Sequence, residues 1–298
     1  MFDILSVVYK PELPLLKIQA QSIQKHVNHS EIRHIRIMVN DADINMARNI
    51  DREWWGPLKN KVIITHRDKL FTPMSRTRGW ITQQLCKLMG AAQSKSDWVM
   101  ILDAKTWFVR PVSEQMLFLN GKAMVITMEP HTGFSKGKQV LESEHNVNLS
   151  YSIGPMGVPY WFHVPTVRRL IAEHGDFPNY FMTVADHPTF VTEFLLYSCT
   201  VIKNQLFDQL YHHNLSWTPW HIGEGDEDRF DQTLDSLVSG DISMTSSIHR
   251  NCYSTLSDEQ LARWTAFLHQ QDVILDPVEF LQLIAQYRDT RLIRSEQS

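Results

Sequence analysis

Polar and charged side chains follow four short apolar runs in the first part of the chain. The runs are typical of buried strands, and the residues at their ends can form hydrogen bonds or carry charge. In an open parallel sheet, a ligand binds outside the carboxyl ends of the strands. Exposed loops would explain any one of these ends, but all four together predict a binding cleft. The residues are Tyr9 and Lys10, Asn40 and Asp41, His66 and Asp68, and Asp103 and Lys105.

The stretch 76–111 carries a second group of polar residues. Arg76, Gln83 and Lys87 recur at spacings of seven and four, so they share one face if the helix extends that far. Cations offset phosphate charge, and a glutamine can hydrogen-bond a ribose or a base. A solvated helix face is the alternative. A phosphorylated ligand is favoured because apolar residues already occupy the presumed core side of this helix.

Glu193 is a single acid inside the otherwise apolar run TEFLLY. A carboxylate among Phe, Leu and Tyr side chains is expected to have a raised pKa, which suits a general base that deprotonates a hydroxyl. An ion-paired or half-exposed helix glutamate is the alternative interpretation.

The elements that must position these residues alternate between strand and helix. Strands are predicted at Asp3–Tyr9, Ile35–Val39, Lys61–Thr65 and Trp98–Leu102, with helices at Leu13–His26 and Trp80–Ala92. This order predicts an α/β protein with a mainly parallel central sheet flanked by helices.

In the second half of the chain, strands and helices do not alternate as regularly. Strands are predicted there at Met124–Met128 and Ser243–Ile248, and helices at Pro165–His174, Asp258–His269 (capped by Ser257) and Leu275–Arg288.

Composition narrows the class of protein and the compartment. The 298 residues allow one large domain or two smaller ones, and the net charge of −4 disfavours a nucleic-acid partner. No apolar stretch approaches the length of a membrane span, and the N-terminus lacks the pattern of a signal peptide. Cys86, Cys199 and Cys252 are widely spaced, so buried thiols and a cytoplasmic location are expected.

Three short segments together resemble a known fold family. They are the helix segment GWITQQLCKL, the strand end ILDAK and the following FVRP. This series resembles the donor-binding half of GT-A glycosyltransferases and, more narrowly, a group of poorly characterised bacterial proteins of that type. The resemblance covers Asp3 to about Tyr253. It implies a single GT-A-like, Rossmann-like domain over 1–298, with a nucleotide-sugar-binding half at 1–111, an acceptor-side half at 112–255 and C-terminal helices at 256–298.

The sequence departs from the family pattern at the DxD motif. In GT-A enzymes two aspartates hold the ribose and a divalent metal, whereas here the motif reads Asp103-Ala104-Lys105. An ammonium group repels a metal ion. Two outcomes stay open. Lys105 could replace the metal as a fixed cation against the diphosphate, or Asp103 and a late histidine, His249, could still hold manganese or magnesium.

The resemblance implies a role for each remaining candidate. Glu193 is expected to be the base of an inverting reaction, and Lys105 is expected to act at the reaction centre. The nucleoside pocket is expected to be lined by Tyr9, Asn40, Asp41 and Asp68. Ribose and diphosphate are expected to contact Arg76, Gln83, Lys87, Asp103, Lys105, His249 and Arg250.

These roles imply transfer of a sugar from a nucleotide-sugar donor to a hydroxyl acceptor, such as a glycan of a bacterial surface polysaccharide. One rival is a catalytically degenerate nucleotide-sugar or glycan binding protein of the same fold, which the change to Lys105 motivates. A nucleotidyltransferase is a weaker rival, because it would need a glycine-rich basic loop after the first strand. Here that loop reads YKPELP.

Overall fold

The structure is a computed structural model that describes residues 1–74, 77–153, 158–213, 219–240 and 243–295, and side chains as far as residue 288. The central sheet contains β1 (Phe2–Val8), β2 (Ile32–Val39), β3 (Val62–His66), β4 (Trp98–Asp103) and β10 (Tyr160–His163). The other strands are β5 (Trp107–Phe108), β6 (Phe118–Leu119), β7 (Lys122–Val125), β8 (Thr127–Met128), β9 (Ser152–Ile153), β11 (Tyr211–His213), β12 (Trp220–Ile222) and β13 (Thr245–Ile248).

Helices surround this sheet. Those in the first half and the middle are α1 (Leu13–His26), α2 (Gly79–Ala92), α3 (Glu114–Leu117), α4 (Ser135–His145), α5 (Val164–Glu173) and α6 (Phe177–Val184). Those that follow are α7 (Glu193–Lys203), α8 (Phe207–Leu210), α9 (Phe230–Val238), α10 (Asp258–Gln270) and α11 (Pro277–Ser295). In the described residues, no helix is both long enough and apolar enough to cross a membrane.

The order of strands in the central sheet is β10-β4-β1-β2-β3. The neighbouring pairs β4–β1, β1–β2 and β2–β3 are parallel, and β10 joins the edge antiparallel to β4. All residues of β1 are buried, as expected for the middle strand of a sheet covered on both faces. The predicted α/β class with a mainly parallel central sheet is therefore confirmed.

The register of the sheet brings three strand ends together. Val7 of β1 pairs with Asp103 of β4, and Val8 pairs with Val39 of β2. Parallel strands in this register end at the same edge, so the residues after β1, β2 and β4 lie side by side. Within the described residues, β3 pairs with β2 alone, and its end is therefore the farthest of the four from Asp103.

Close packing fixes α2 against the sheet. A Cβ atom on Gly90 would lie 2.7 Å from Leu5 Cδ1 and 2.9 Å from Met38 Cγ, so glycine allows the helix to approach β1 and β2 closely. The same helix contacts α7, because the backbone N–H of Glu193 donates to Gln84 Oε1 at 3.1 Å. Helix α2 thereby links the strand ends to the second half of the chain.

The second half differs from the prediction in detail. The predicted strand Met124–Met128 is two strands, because β7 pairs with β6 and β11 whereas β8 pairs with β9. The predicted helices correspond to α5, α10 and α11, and Ser257 caps α10 as predicted. All three cysteines are free and buried, as predicted. The proposed division at residues 111 and 255 stays a prediction.

Candidate functional site

A cavity of about 890 Å³ lies where β1, β2 and β4 end. Predicted site residues from the first half that line it are Tyr9, Asn40, Gln83, Lys87, Asp103 and Lys105. Those from the second half are Glu193, His249 and Arg250. The fold thus brings together strand ends, one face of α2 and the start of α7, as a shared ligand site requires.

Four of these side chains form a chain of alternating charge. Glu193 Oε1 lies 2.9 Å from Lys87 Nζ, and Lys87 Nζ lies 3.2 Å from Asp103 Oδ1. Asp103 Oδ2 accepts a hydrogen bond from Lys105 Nζ at 2.9 Å. Lys87 and Glu193 are only 6% and 3% exposed, so these interactions are weakly screened by water. The chain contains equal numbers of cations and anions and is neutral as a whole.

The pKa shifts in this chain follow from burial and pairing. Burial by itself would raise the pKa of Asp103, but Lys105 and Lys87 outweigh it and hold that pKa well below its usual range. Burial would lower the pKa of Lys87, but Asp103 and Glu193 raise it further than burial lowers it. Asp103 and Lys87 are therefore both charged at neutral pH.

Glu193 fits both interpretations of the sequence, the ion-paired glutamate and the carboxyl group with a raised pKa. Its carboxylate is ion-paired with Lys87, yet burial outweighs that pairing and its pKa is raised. The residue begins α7, and the preceding Thr192 caps the helix by accepting a hydrogen bond from the N–H of Leu195 at 3.1 Å. Its role as a general base stays a prediction.

A buried glutamine positions the turn that carries Lys105. Gln19 Nε2 donates to the carbonyls of Asp103 at 2.6 Å and Thr106 at 3.0 Å. Its Oε1 accepts a hydrogen bond from Ser6 of β1 at 2.6 Å. Three fixed hydrogen bonds from a fully buried side chain hold the turn after β4 against β1 and α1. Sequence reasoning missed Gln19, although a glutamine on the apolar face of α1 was a usable signal.

Another part of the cavity wall is aromatic and cationic. The guanidinium of Arg250 lies 5.3 Å from the centre of the Tyr9 ring, within range of a cation–π contact. Both polar atoms of the Asn40 side chain form hydrogen bonds within the protein. Its Nδ2 donates to the carbonyl of Gly79 at 3.0 Å, and its Oδ1 accepts from Arg67 at 2.9 Å. Asn40 therefore supports the start of α2 from the cavity wall.

Two predicted pocket residues do not line the cavity. Asp41 accepts hydrogen bonds from the backbone N–H groups of Lys10 and Asp43, so it stabilises the turns after β1 and β2. Asp68 follows β3, the strand farthest from Asp103, and lies against His66 and Arg67. Neither aspartate lines this cavity, and their expected place in a nucleoside pocket stays a prediction. Arg76 lies outside the described residues.

The donor set around Asp103 does not fit a divalent metal. Both carboxylate oxygens face ammonium groups, and an incoming cation would be repelled by Lys87 and Lys105. His249 Nδ1 accepts a hydrogen bond from the N–H of Asn251 and lies 3.4 Å from Glu224. Among the described residues, no group of three or more His, Cys, Asp or Glu side chains is arranged to hold a metal ion.

A family match accompanies this geometry. Residues 5–221 match DUF6492, a family of unknown function. The chain belongs to this family. A comparison with curated proteins finds no match.

Solved structures similar to this family member include two transferases. Mouse xyloside xylosyltransferase 1 in its apo form has a TM-score of 0.43 and 14% identity, over 84% of this chain and 98% of that chain. The galactosyltransferase LgtC, in complex with donor and acceptor sugar analogs, has a TM-score of 0.43 and 13% identity, over 90% of this chain and 95% of that chain.

Two further polar residues of the cavity were not among the predicted site residues. His221 Nδ1 lies 2.7 Å from Ser247 Oγ, and burial together with Lys105 lowers its pKa to about 4, so it is neutral at pH 7. Glu12, in the turn after β1, has a pKa that burial raises to about 7. The sequence signal for Glu12 was an acid in the same strand-end loop as Tyr9. The site therefore offers fixed cations, a neutral imidazole and two carboxyl groups with raised pKa values.

Proposed function

We propose that this protein binds a nucleotide-sugar donor in the cavity and transfers the sugar to a hydroxyl acceptor. The observation that carries this proposal is the position of Lys105. Its ammonium is held at 2.9 Å from Asp103 inside a cavity formed by three strand ends. The ILDAK segment resembles GT-A enzymes, and from that resemblance we expect the diphosphate to be held at this strand end. A fixed cation at that point offsets phosphate charge.

The donor's charged part contacts the basic side of the cavity. Lys105 offsets the negative charge that develops on the leaving phosphate when the bond between the sugar and the diphosphate breaks. Arg250 and the Tyr9 ring form an aromatic and cationic surface suited to stacking with a nucleobase. Gln83 supplies hydrogen bonds to the ribose. Asp103 holds Lys105 in place, and no step of this scheme requires a metal ion.

Glu193 is the proposed base if the reaction inverts the anomeric carbon. The hydroxyl proton of the acceptor passes to its carboxylate as the new bond to the sugar forms. Its raised pKa makes it a stronger proton acceptor than an ordinary glutamate, and Lys87 keeps the carboxylate oriented. A bacterial surface glycan as acceptor and a cytoplasmic location stay predictions.

Thermal stabilisation tests donor binding directly. UDP, GDP, CMP and dTDP are each added with manganese and with EDTA. A ligand at about 100 times its Kd should stabilise the native state by about 2.7 kcal/mol. We expect one nucleotide to do so equally under both conditions. Lys105→Met should remove most of this stabilisation, and Lys69→Met, at an exposed lysine outside the cavity, should keep it. No stabilisation by any nucleotide would contradict the proposal.

A binding protein without transferase activity is the second candidate. It is favoured by the neutralisation of both Asp103 oxygens by lysines, since this leaves no free carboxylate at the position of the DxD motif. The rate at which a bound sugar nucleotide is hydrolysed distinguishes a transferase from a binding protein. A transferase should release free sugar slowly in water, and Glu193→Gln should change that rate. A binding protein should release none while showing the same affinity.

A further inference from the structure

Glu12 places a carboxyl group in the wall of the cavity. It lies in the turn between β1 and α1, where its backbone N–H donates to the carbonyl of Tyr9 at 2.8 Å. Within the described part of the chain, its carboxyl group makes no hydrogen bond or ion pair. Both carboxyl oxygens can therefore interact with a ligand that enters the cavity.

The charges around Glu12 come from several elements. Lys105 and Asp103 face it from the turn after β4, and Lys87 faces it from α2. The hydroxyls of Tyr253 and Tyr287, and the guanidinium of Arg250, approach from the C-terminal part of the chain. Burial raises the pKa of Glu12 to about 7, and Lys105 opposes this only in part. Glu12 therefore binds a proton more readily than an ordinary glutamate does.

The charges that line the cavity do not favour a bound anion while Glu12 is ionised. The described lining contains three permanent cations, Lys87, Lys105 and Arg250. It also contains four carboxyl groups, Glu12, Asp103, Glu129 and Glu193. A diphosphate would add negative charge to a lining that already has one more anion than cation. Protonation of Glu12 balances the two.

Of the three carboxyl groups that face Lys87 or Lys105, Glu12 is the one that can take up a proton most easily. Asp103 is held in its charged form by two lysines, and Glu193 is paired with Lys87. Glu12 has no such pairing to lose. When protonated, its carboxyl group also becomes a hydrogen-bond donor, which a phosphate oxygen can accept.

We propose that Glu12 takes up a proton when a phosphate-bearing ligand binds beside Lys105, so that the site binds a nucleotide sugar together with one proton. This inference rests on the proposed function. Glu12 thereby acts as a specificity residue: it weakens binding of anionic ligands at alkaline pH and strengthens it once the proton is bound.

Calorimetry across pH tests this coupling. The probes are UDP-glucose, GDP-mannose and dTDP-glucose, whose esterified diphosphates keep a constant charge between about pH 6 and 9. For the probe that binds, Kd should be nearly constant below pH 7 and rise about tenfold per pH unit above it. Titrations at pH 8 in buffers of different ionisation enthalpy should report uptake of about one proton.

Two variants test whether Glu12 is the group that takes up the proton. Glu12→Gln should make Kd independent of pH above 7 and restore at pH 8 the affinity that the wild type has at pH 6. Glu129→Gln, at an exposed carboxylate of the same cavity, should leave the pH dependence unchanged. The histidines of the cavity remain in both variants, so only a change specific to Glu12→Gln supports the proposal.

The outcomes separate this inference from the proposed function. Binding with a flat pH profile in the wild type, or an unchanged profile in Glu12→Gln, overturns the role of Glu12 and leaves the proposed function standing. No binding of any probe at any pH overturns both. A carbon-13 NMR titration of the ligand-free protein, with Glu12 assigned by the Gln variant, should show a midpoint near 7. A carboxylate already fully ionised at about pH 6 would overturn the inference.

Discussion

Lys87 and Glu193 form an ion pair of 2.9 Å that joins α2 to α7, although they are far apart in the sequence. The ammonium also lies 4.8 Å from the centre of the Phe194 ring and 3.2 Å from Asp103. One buried cation therefore holds the start of α7 against the turn that carries the LDAK motif. The packing of the two halves and the chemistry of the site depend on the same residue.

Lys87→Met should destabilise the protein by about 3 to 5 kcal/mol, because it leaves Glu193 buried without a partner. The double variant Lys87→Met with Glu193→Gln should recover much of that loss, since neither side chain is then charged. Urea unfolding measures the stability of the single and the double variant. Lys138→Met, which breaks a more exposed pair with Glu142, should change stability by no more than about 0.5 kcal/mol. Equal losses in the single and the double variant would argue against the ion pair.

Glu193→Gln should leave donor binding intact and lower the rate of sugar transfer by about 10²- to 10⁴-fold, the usual contribution of a general base. The amide keeps the shape of the side chain but cannot accept the proton. Binding is measured by calorimetry and transfer by single-turnover kinetics. A loss of donor affinity with an unchanged rate would reassign Glu193 to binding.

Donor affinity should be the same in EDTA and in manganese, because the oxygens of Asp103 are occupied by lysines. Lys105→Met should weaken donor binding by about 1.5 to 3 kcal/mol, the range for a hydrogen bond to a charged group. Lys105→Arg should recover part of the lost donor affinity. A Kd that falls when manganese is added would support the alternative in which Asp103 binds a metal.

Gln19→Leu should destabilise the protein by about 1 to 3 kcal/mol, because the carbonyls of Asp103 and Thr106 and the hydroxyl of Ser6 lose their partner. It should also weaken donor binding, since the turn before Lys105 is no longer fixed. Gln21→Leu, at a half-buried residue of the same helix, is the matched control. Lower stability with unchanged donor affinity would limit Gln19 to a structural role.

Glu12→Gln should change how stability depends on pH. Burial raises the pKa of Glu12 from 4.5 to about 7, so the folded state binds this proton more tightly than the unfolded state. The stability from that proton is complete below pH 4.5, declines as pH rises to about 7, and is constant above it. As pH rises over this range, the wild type should therefore lose about 3 kcal/mol of unfolding free energy relative to the variant. Parallel stability curves for the two proteins would contradict the raised pKa.

The sequence by itself determined the local elements and the strand-end positions. Apolar runs predicted β1 to β4, helical periodicity predicted α1 and α2, and a serine predicted the cap of α10. These features depend on residues close together in the chain, so pattern and propensity are sufficient to find them. The same reasoning selected Tyr9, Asn40, Asp103 and Lys105, which line one cavity because parallel strands end at a common edge.

Only the tertiary structure decided which polar residues meet. Asp68 was selected by the same rule as Asp103, but β3 lies at the edge of the sheet and Asp68 does not line the cavity. The partner of Glu193, the support of the turn by Gln19 and the burial of Glu12 depend on contacts between distant segments. Burial and long-range pairing set the charge of each group, and neither is encoded in the spacing of residues along the chain.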